Sequence, residues 1–144
     1  MTMDQIKHWF ARGFEIGGHS RTHPRLTTLG ATALHDQVSG CRMDLIEAGM
    51  RPVSFAYPKG LYNKDVRSVV GSNFRIAFTT DEGLNDLRTD LLLMQRTMVR
   101  PDDTLLDIVL RARFGRSAVY QARTYLRLRS RIRRLIQHIR RFYH

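Results

Sequence analysis

A single cysteine, Cys41, and only four prolines stand in a chain of 144 residues. One thiol cannot close an intrachain disulfide, which excludes a disulfide scaffold and fits a reducing compartment. The apolar runs stay far short of the roughly eighteen residues that a membrane-spanning helix needs. The opening "MTMDQIKHWF" has no positive stretch followed by an apolar run and does not read as a secretory leader. These absences set the expected location as cytoplasmic or peripheral to a membrane. Acid is missing from one region only. Residues 111–144 hold eleven arginines and no Asp or Glu, whereas residues 1–110 balance thirteen basic side chains against thirteen acidic ones. The net charge of +11 is therefore the property of a tail, and arguments about acidic partners belong there. The body has ordinary globular composition and the length of one domain.

Apolar spacing and breaker residues set the order of elements. Asp4 to Ala11 reads as a short helix with Ile6, Trp9 and Phe10 on one apolar face destined for the core, Thr2 or Asp4 as its cap and Gly13 as its stop. "FEIGG" reads as a strand and "HSRTHPRL" as loop, because Pro24 disfavours a helical His23. Thr27 or Thr28 caps a helix running to about Ala48, with Leu34, Val38, Cys41, Leu45 and Ile46 at helical spacing and Gly49 ending it. "RPVSFAYP" is a strand ending in the turn "YPKGLYN". Lys64 to Val70 is a helix, "FRIAFTT" a strand, "DEGLNDLRTD" a polar loop, and "LLLMQRTMV" a rim strand. A helix follows from about Asp103 to Arg113, and a last one from about Ser117 to Phe142. Strands alternating with helices predict a parallel α/β sheet.

His19 and His23 lie four apart on a loop just past the carboxyl end of a predicted strand, where α/β folds place their chemistry. A bare pair at this spacing is also what surface or hydrogen-bonded histidines show. The surroundings favour a site. Gly17 and Gly18 permit a sharp turn, Pro24 stiffens the exit, and Ser20 and Thr22 can bond the loop's own backbone. Two neutral imidazoles suit zinc or another divalent ion, which then needs a carboxylate or a third histidine.

"FEIGGHSRTHPRLTTL" resembles the His-(Ser/Thr)-x-x-His-Pro motif of polysaccharide deacetylases, the nodulation-type carbohydrate esterases. "RPVSFAYPKGLYNKDV" resembles their next motif, an aromatic-Pro-x-Gly turn lining the substrate groove, and "FRIAFTTDEGLND" with "LLLMQRTMVRPDDTLLDIVLR" resembles the strand and helix that follow. The resemblance implies an incomplete distorted (β/α) barrel of the glycoside hydrolase/deacetylase type over residues 1–114, with a C-terminal basic amphipathic helix over 115–144. It implies that His19 and His23 ligate a divalent metal, commonly zinc. It makes the Lys59 backbone N–H the oxyanion donor, Pro58 the shaper of the groove floor, Tyr57 part of its wall, and Gly60 with them substrate-binding. The implied reaction removes an N-acetyl group from an amino sugar in a polysaccharide or glycolipid. The metal there polarises the amide carbonyl and acidifies a water.

The family's Thr-Phe-Asp-Asp motif, which supplies the third ligand and the general base, has no counterpart before His19. Asp4 sits at a helix start and Glu15 inside the strand, so neither replaces it. Arg96 is the nearest polar residue where a late histidine is expected, and His35 and His138 fall elsewhere. Weak metal binding and little activity of this chain alone are therefore expected, as for an N-terminally truncated or decayed deacetylase, the latter a non-catalytic membrane- or partner-binding remnant. In the tail, Tyr125, Leu128, Ile132, Leu135, Ile136 and Ile139 form an apolar stripe with arginines mostly off it. Three readings stay open for residues 117–143: an anionic membrane surface, packing on protein, and, with no accompanying recognition motif, nucleic acid. Asp81, Glu82, Asp86 and Asp90 read as solvated surface, and Cys41 as buried and inert.

Overall fold

The computed structural model describes residues 2–115. Their contacts divide into two units, one running to Asp81 and resuming at Asn85–Arg96, the other made of Glu82–Leu84 and the residues from Thr97 on. The tail helix expected at 117–142, for which a membrane surface, packing on protein and nucleic acid stay open, lies outside the described residues.

In the first unit, α1 (Met3–Ala11) starts at Thr2 through a reciprocal box. The Thr2 hydroxyl accepts from the Gln5 N–H at 3.3 Å, and Gln5 Oε1 accepts from the Thr2 N–H at 2.8 Å. Contrary to expectation, Trp9 is not core. It is 42% exposed and stacks edge-on against Phe14 at 5.1 Å, and no residue of α1 is buried. The apolar face is present in the sequence, and Ile6 and Phe10 on it are half-buried.

The long helix expected from Thr27 or Thr28 to about Ala48 forms over 31–47, so it starts later than expected, and it contains one π turn. A 3-10 turn (Leu26–Thr28) comes first, and Gly30 then opens α2 (Ala31–His35). The Thr28 hydroxyl donates to the Arg25 carbonyl, so it caps nothing. One π-helical turn (Asp36–Gly40) separates α2 from α3 (Cys41–Glu47), and Gly49 at φ 87° ends the run as expected. Leu26, Leu34 and Val38 face the core, and Cys41 is 7% exposed, as its position implied.

β1 (Ser54–Ala56) and β2 (Ile76–Phe78) pair in parallel, with Phe55 opposite Ala77. The crossover is α4 (Lys64–Asn73), capped by the Asn63 side chain on the Val66 N–H at 2.9 Å. Val66 and Val70, four apart, turn one stripe of α4 onto the sheet. Phe55 is the centre of the core. It is fully buried, tilted against Phe74 at 5.1 Å and edge-on to Tyr57 at 5.7 Å.

The two outer strands expected from the sequence shrink to single bridges, Gly18 with Phe55 and Met94 with Phe78. The causes are local. Upstream of Gly18, Glu15 Oε1 accepts the N–H groups of Val53 and Ser54 at 3.2 and 2.9 Å, taking donors that a longer ladder needs. Beside Met94, Asp90 accepts the Leu92 N–H and the Leu93 N–H bonds the Asp90 carbonyl, which curls the chain into a turn. In the second unit, α5 (Leu105–Phe114) begins at a Thr104–Asp107 capping box and ends at Gly115, φ 71°. Arg111 is buried beside Asp103 at 3.2 Å.

Candidate metal centre at the ends of the parallel strands

Glycine at 17 and 18 serves close approach rather than a sharp turn, since neither residue has a positive φ. A Cβ on Gly17 would meet Ser54 Oγ at 2.4 Å, and one on Gly18 would meet Phe74 Cζ at 2.7 Å and Phe55 Cδ2 at 3.0 Å. Bare backbone therefore lies against β1, with the Gly18 N–H on the Ser54 carbonyl at 2.8 Å and the Ala56 N–H on the Gly18 carbonyl at 2.9 Å. That registry delivers His19 to the last residue of β1, where its Nδ1 lies 2.7 Å from the Ala56 carbonyl. A carbonyl oxygen only accepts, so Nδ1 carries the hydrogen, and in the neutral ring the lone pair falls on Nε2.

His23 returns to the same place. Its ring centroid lies 4.8 Å from that of His19, with the planes 63° apart. Zinc–nitrogen bonds of about 2 Å at a tetrahedral angle separate two imidazole centroids by about 5 Å, a separation close to the one observed. Both rings are exposed. The loop between them is strained, with Ser20 at φ 62° and His23 at φ 57°. Pro24 excludes the right-handed helical region at His23, and the observed solution is left-handed rather than extended. The Ser20 hydroxyl accepts the His23 N–H at 3.0 Å, as expected, whereas the Thr22 N–H and hydroxyl both reach Gln37 Oε1, at 3.0 and 3.2 Å.

The second loop follows β1 directly. In "YPKG" the Tyr57 carbonyl accepts from Gly60 N–H at 2.9 Å, with Pro58 second and Lys59 third at φ 60°. The turn's bonds use the amides of Gly60 and Leu61 and leave that of Lys59 out. Gly60, φ 69°, presses on Thr80, whose Oγ1 is 2.0 Å from where a Cβ would stand. Pro58 is buried under the turn. Tyr57 is 1% exposed, so its ring belongs to the core and not to an open wall. Its hydroxyl donates to the Leu92 carbonyl at 3.0 Å, and burial pushes the phenol up to about 12. The aromatic face left at the surface is Tyr62, 39% exposed and 5.3 Å from the Tyr57 ring.

Among the described residues no third His, Cys, Asp or Glu joins the pair. Asp4 lies in the first turn of α1 and Glu15 is spent on β1 amides, as their contexts implied. Arg96 donates to the Thr79 carbonyl, and Asp90 pairs with Arg67 at 2.6 Å. Asp86 accepts from the Arg88 N–H and the Thr89 hydroxyl, which hold its carboxyl low. Beneath the histidine loop, burial raises the Cys41 thiol, opposed by the backbone of His19 and Ser20. A cavity of about 420 Å³ lies at the other ends of the strands, bordered by Arg51, Pro52 and Val53 before β1 and Arg75 before β2, and is not part of this site. Sequence reasoning missed the Ala56 carbonyl, Gln37, Gly40 and Tyr62. Only Tyr62 carried a signal, as the second aromatic of "YPKGLYN".

The fold and site define an α/β protein with paired imidazoles at the carboxyl ends of parallel strands. The chain belongs to the polysaccharide deacetylase family, whose model matches residues 1–73. It is similar to the solved Streptococcus pyogenes deacetylase PplD, in complex with acetate, at 23% identity and a TM-score of 0.67 over 71% of this chain and 46% of that one. A polysaccharide deacetylase from Bacillus cereus matches at 23% identity and a TM-score of 0.59, over 67% of this chain and 31% of that one. A family 4 carbohydrate esterase from Streptomyces lividans, also in complex with acetate, matches at 26% identity and a TM-score of 0.51, over 56% of this chain and 42% of that one. The chain thus spans less than half the length of each of these structures. No curated protein matches its sequence.

Proposed function

We propose that the protein takes part in metal-dependent hydrolysis of N-acetyl groups on amino sugars of a polysaccharide or lipid-linked glycan. The observation that carries the reading is the 2.7 Å contact of His19 Nδ1 with the Ala56 carbonyl. It fixes the tautomer and ring plane that a metal-binding imidazole needs. Acetate, held by two of the solved neighbours, is the acid that such hydrolysis releases.

His19 and His23 hold the divalent ion, zinc first. A bound ion of this kind supplies Lewis acidity toward an amide carbonyl and a water molecule. The Lys59 N–H donates to the charge that develops on the amide oxygen, a role typically worth a few kcal/mol. Pro58 and Gly60 form the floor, Tyr57 backs the turn from the core, and Tyr62 offers a face to a sugar ring. The parallel strands read as part of a distorted (β/α) barrel.

Two imidazoles are half of a ligand set. A carboxylate from outside the described residues is needed for tight binding and to accept the proton, so this chain alone holds zinc weakly and turns over little. That shortfall favours one competing reading, a non-catalytic, partner- or membrane-binding relative. Zinc titration of the purified chain, with acetate release from an N-acetylated oligosaccharide, separates them. Saturable 1:1 zinc binding lost in His19→Ala and His23→Ala supports the hydrolase. Binding that is absent, or indifferent to both substitutions, supports the competitor.

A further inference from the structure

Arg21, the middle residue between the two histidines, reaches across to the helices behind the loop. Its Nε and Nη2 grip both oxygens of Asp44, at 2.8 and 2.6 Å, and Nη1 bonds Asp36 Oδ1 at 2.5 Å. The fork-on-carboxylate geometry fixes direction as well as distance. Asp36 opens the π turn, Gly40 closes it, and Asp44 follows in α3. A Cβ on Gly40 would stand 2.6–2.7 Å from three atoms of the guanidinium. The helix is thus widened by one turn and bared at one residue where the arginine lies, and π turns recur at functional sites. Gln37, on the same turn, takes the N–H and hydroxyl of Thr22. The left-handed residues Ser20 and His23 flank this anchored pair, and the two imidazoles stand outside it on either side.

We infer that Arg21 is a positioning residue, a clamp seated over Gly40 and closed by Asp36 and Asp44 that sets the separation of His19 and His23. The inference rests on the metal reading above and adds that helices α2 and α3 control the site without touching it. An ordinary exposed ion pair does little. This one joins two carboxylates to the residue between the ligands, so its effect falls on geometry more than on stability.

The test uses the full chain and the variants Arg21→Ala, Arg21→Lys, Gly40→Ala and the double variant Arg21→Ala/Gly40→Ala. Three readouts are zinc affinity by titration, the through-space NMR contact between the two imidazoles, and melting temperature, with the core signals of Phe55 and Tyr57 reporting the fold. Arg21→Ala weakens zinc about tenfold, the usual effect of losing a ligand's support. Gly40→Ala does the same with every charge in place, because its methyl displaces the guanidinium, the movable end of a long side chain. In the Arg21→Ala background the added methyl costs no further affinity and raises the melting temperature, since alanine favours helix over glycine. Arg21→Lys keeps the charge, loses the fork and fails to restore affinity.

A melting temperature that drops in Arg21→Ala and Gly40→Ala while zinc affinity and the imidazole contact stay at wild-type values overturns the inference. Failure of the metal reading looks different. Zinc then binds neither wild type nor variants, and the imidazole contact alone decides whether the clamp exists: lost in both single variants if it does, retained in both if it does not.

Discussion

Replacing Tyr57 with Phe removes one oxygen from a fully packed site and leaves the ring against Phe55 and Tyr62. At about pH 8 the change deletes the bond from the phenol to the Leu92 carbonyl, 3.0 Å long, and leaves that carbonyl without the phenol donor. Such a loss is worth about 1 kcal/mol. Alkali reverses the comparison. The phenol titrates near 10.0 when exposed and is pushed up to about 12 by burial in the fold. A group whose folded pKa is raised contributes stability that is whole below its unfolded value and is lost as pH rises through the folded one. Between about pH 10 and pH 12 wild type therefore loses about 2 kcal/mol through its phenol, a loss the Phe variant does not share. Urea unfolding of both proteins across that range is the assay, read as the difference between the two curves so that the arginines and the other tyrosines cancel. Wild type leads near pH 8, the curves cross near pH 11, and the variant leads near pH 12. Parallel curves would refute the argument and return Tyr57 to an open wall, where its phenol titrates normally.

Gly18→Ala drives a methyl into the rings of Phe74 and Phe55 and costs about 1–3 kcal/mol in a thermal melt. Gly13→Ala, at φ +87° with nothing within 4 Å, costs only the backbone strain of about 1 kcal/mol and serves as the control. Asn63→Ala strips the cap of α4 and lowers stability by about 1 kcal/mol, whereas Asn63→Asp keeps it, both measured by denaturant midpoint. Asp44, Asp86 and Asp90 are each held below the ordinary carboxylate value of 3.8, first by Arg21, by the Arg88 N–H and by the Leu92 N–H. Their contribution is whole above that value and is lost as pH falls through the lower folded ones, so an acid titration stays flat down to about pH 5 and falls below about pH 4. An Asp86→Asn variant flattens part of that fall.

Elements whose causes are local were readable from residues alone. Thr2 and Gly49 sit at helix ends for reasons each carries in its own side chain or lack of one. β1 and β2 were readable because their apolar residues are bounded by turns on both sides. What failed depended on partners. An apolar run says that a segment is extended, not that a neighbour's amides are free, and Glu15 had already taken those of Val53 and Ser54. Trp9 carried a sound helical pattern with no core behind it. The π turn was invisible because its contacts come from a loop fifteen residues upstream, Arg21 on Asp36 and Thr22 on Gln37, and nothing near Gly40 announces them. At the site, the histidines and the "YPKG" turn were legible as motifs, while the groups that orient them, the Ala56 carbonyl and Gln37, are backbone and an ordinary helical residue.

The described residues with left-handed backbone and a side chain are three, Ser20, His23 and Lys59, and all lie in the two loops that leave the carboxyl ends of the sheet. Each conformation costs on the order of 1 kcal/mol, so their gathering at one place needs compensation by contacts that hold them. For the first loop those contacts are the Ser20 hydroxyl on the His23 N–H, Gln37 on Thr22, and Arg21 on its two carboxylates. For the second, Pro58 fixes one angle in advance and the bare face of Gly60 lets the turn press on Thr80. Every one of these supports comes from protein atoms, and together they fix where His19, His23 and the Lys59 amide stand. These contacts offset the backbone strain within the fold. Groups held in this way match what the proposed hydrolysis requires, since preorganised donors act on a transition state without reorganising first.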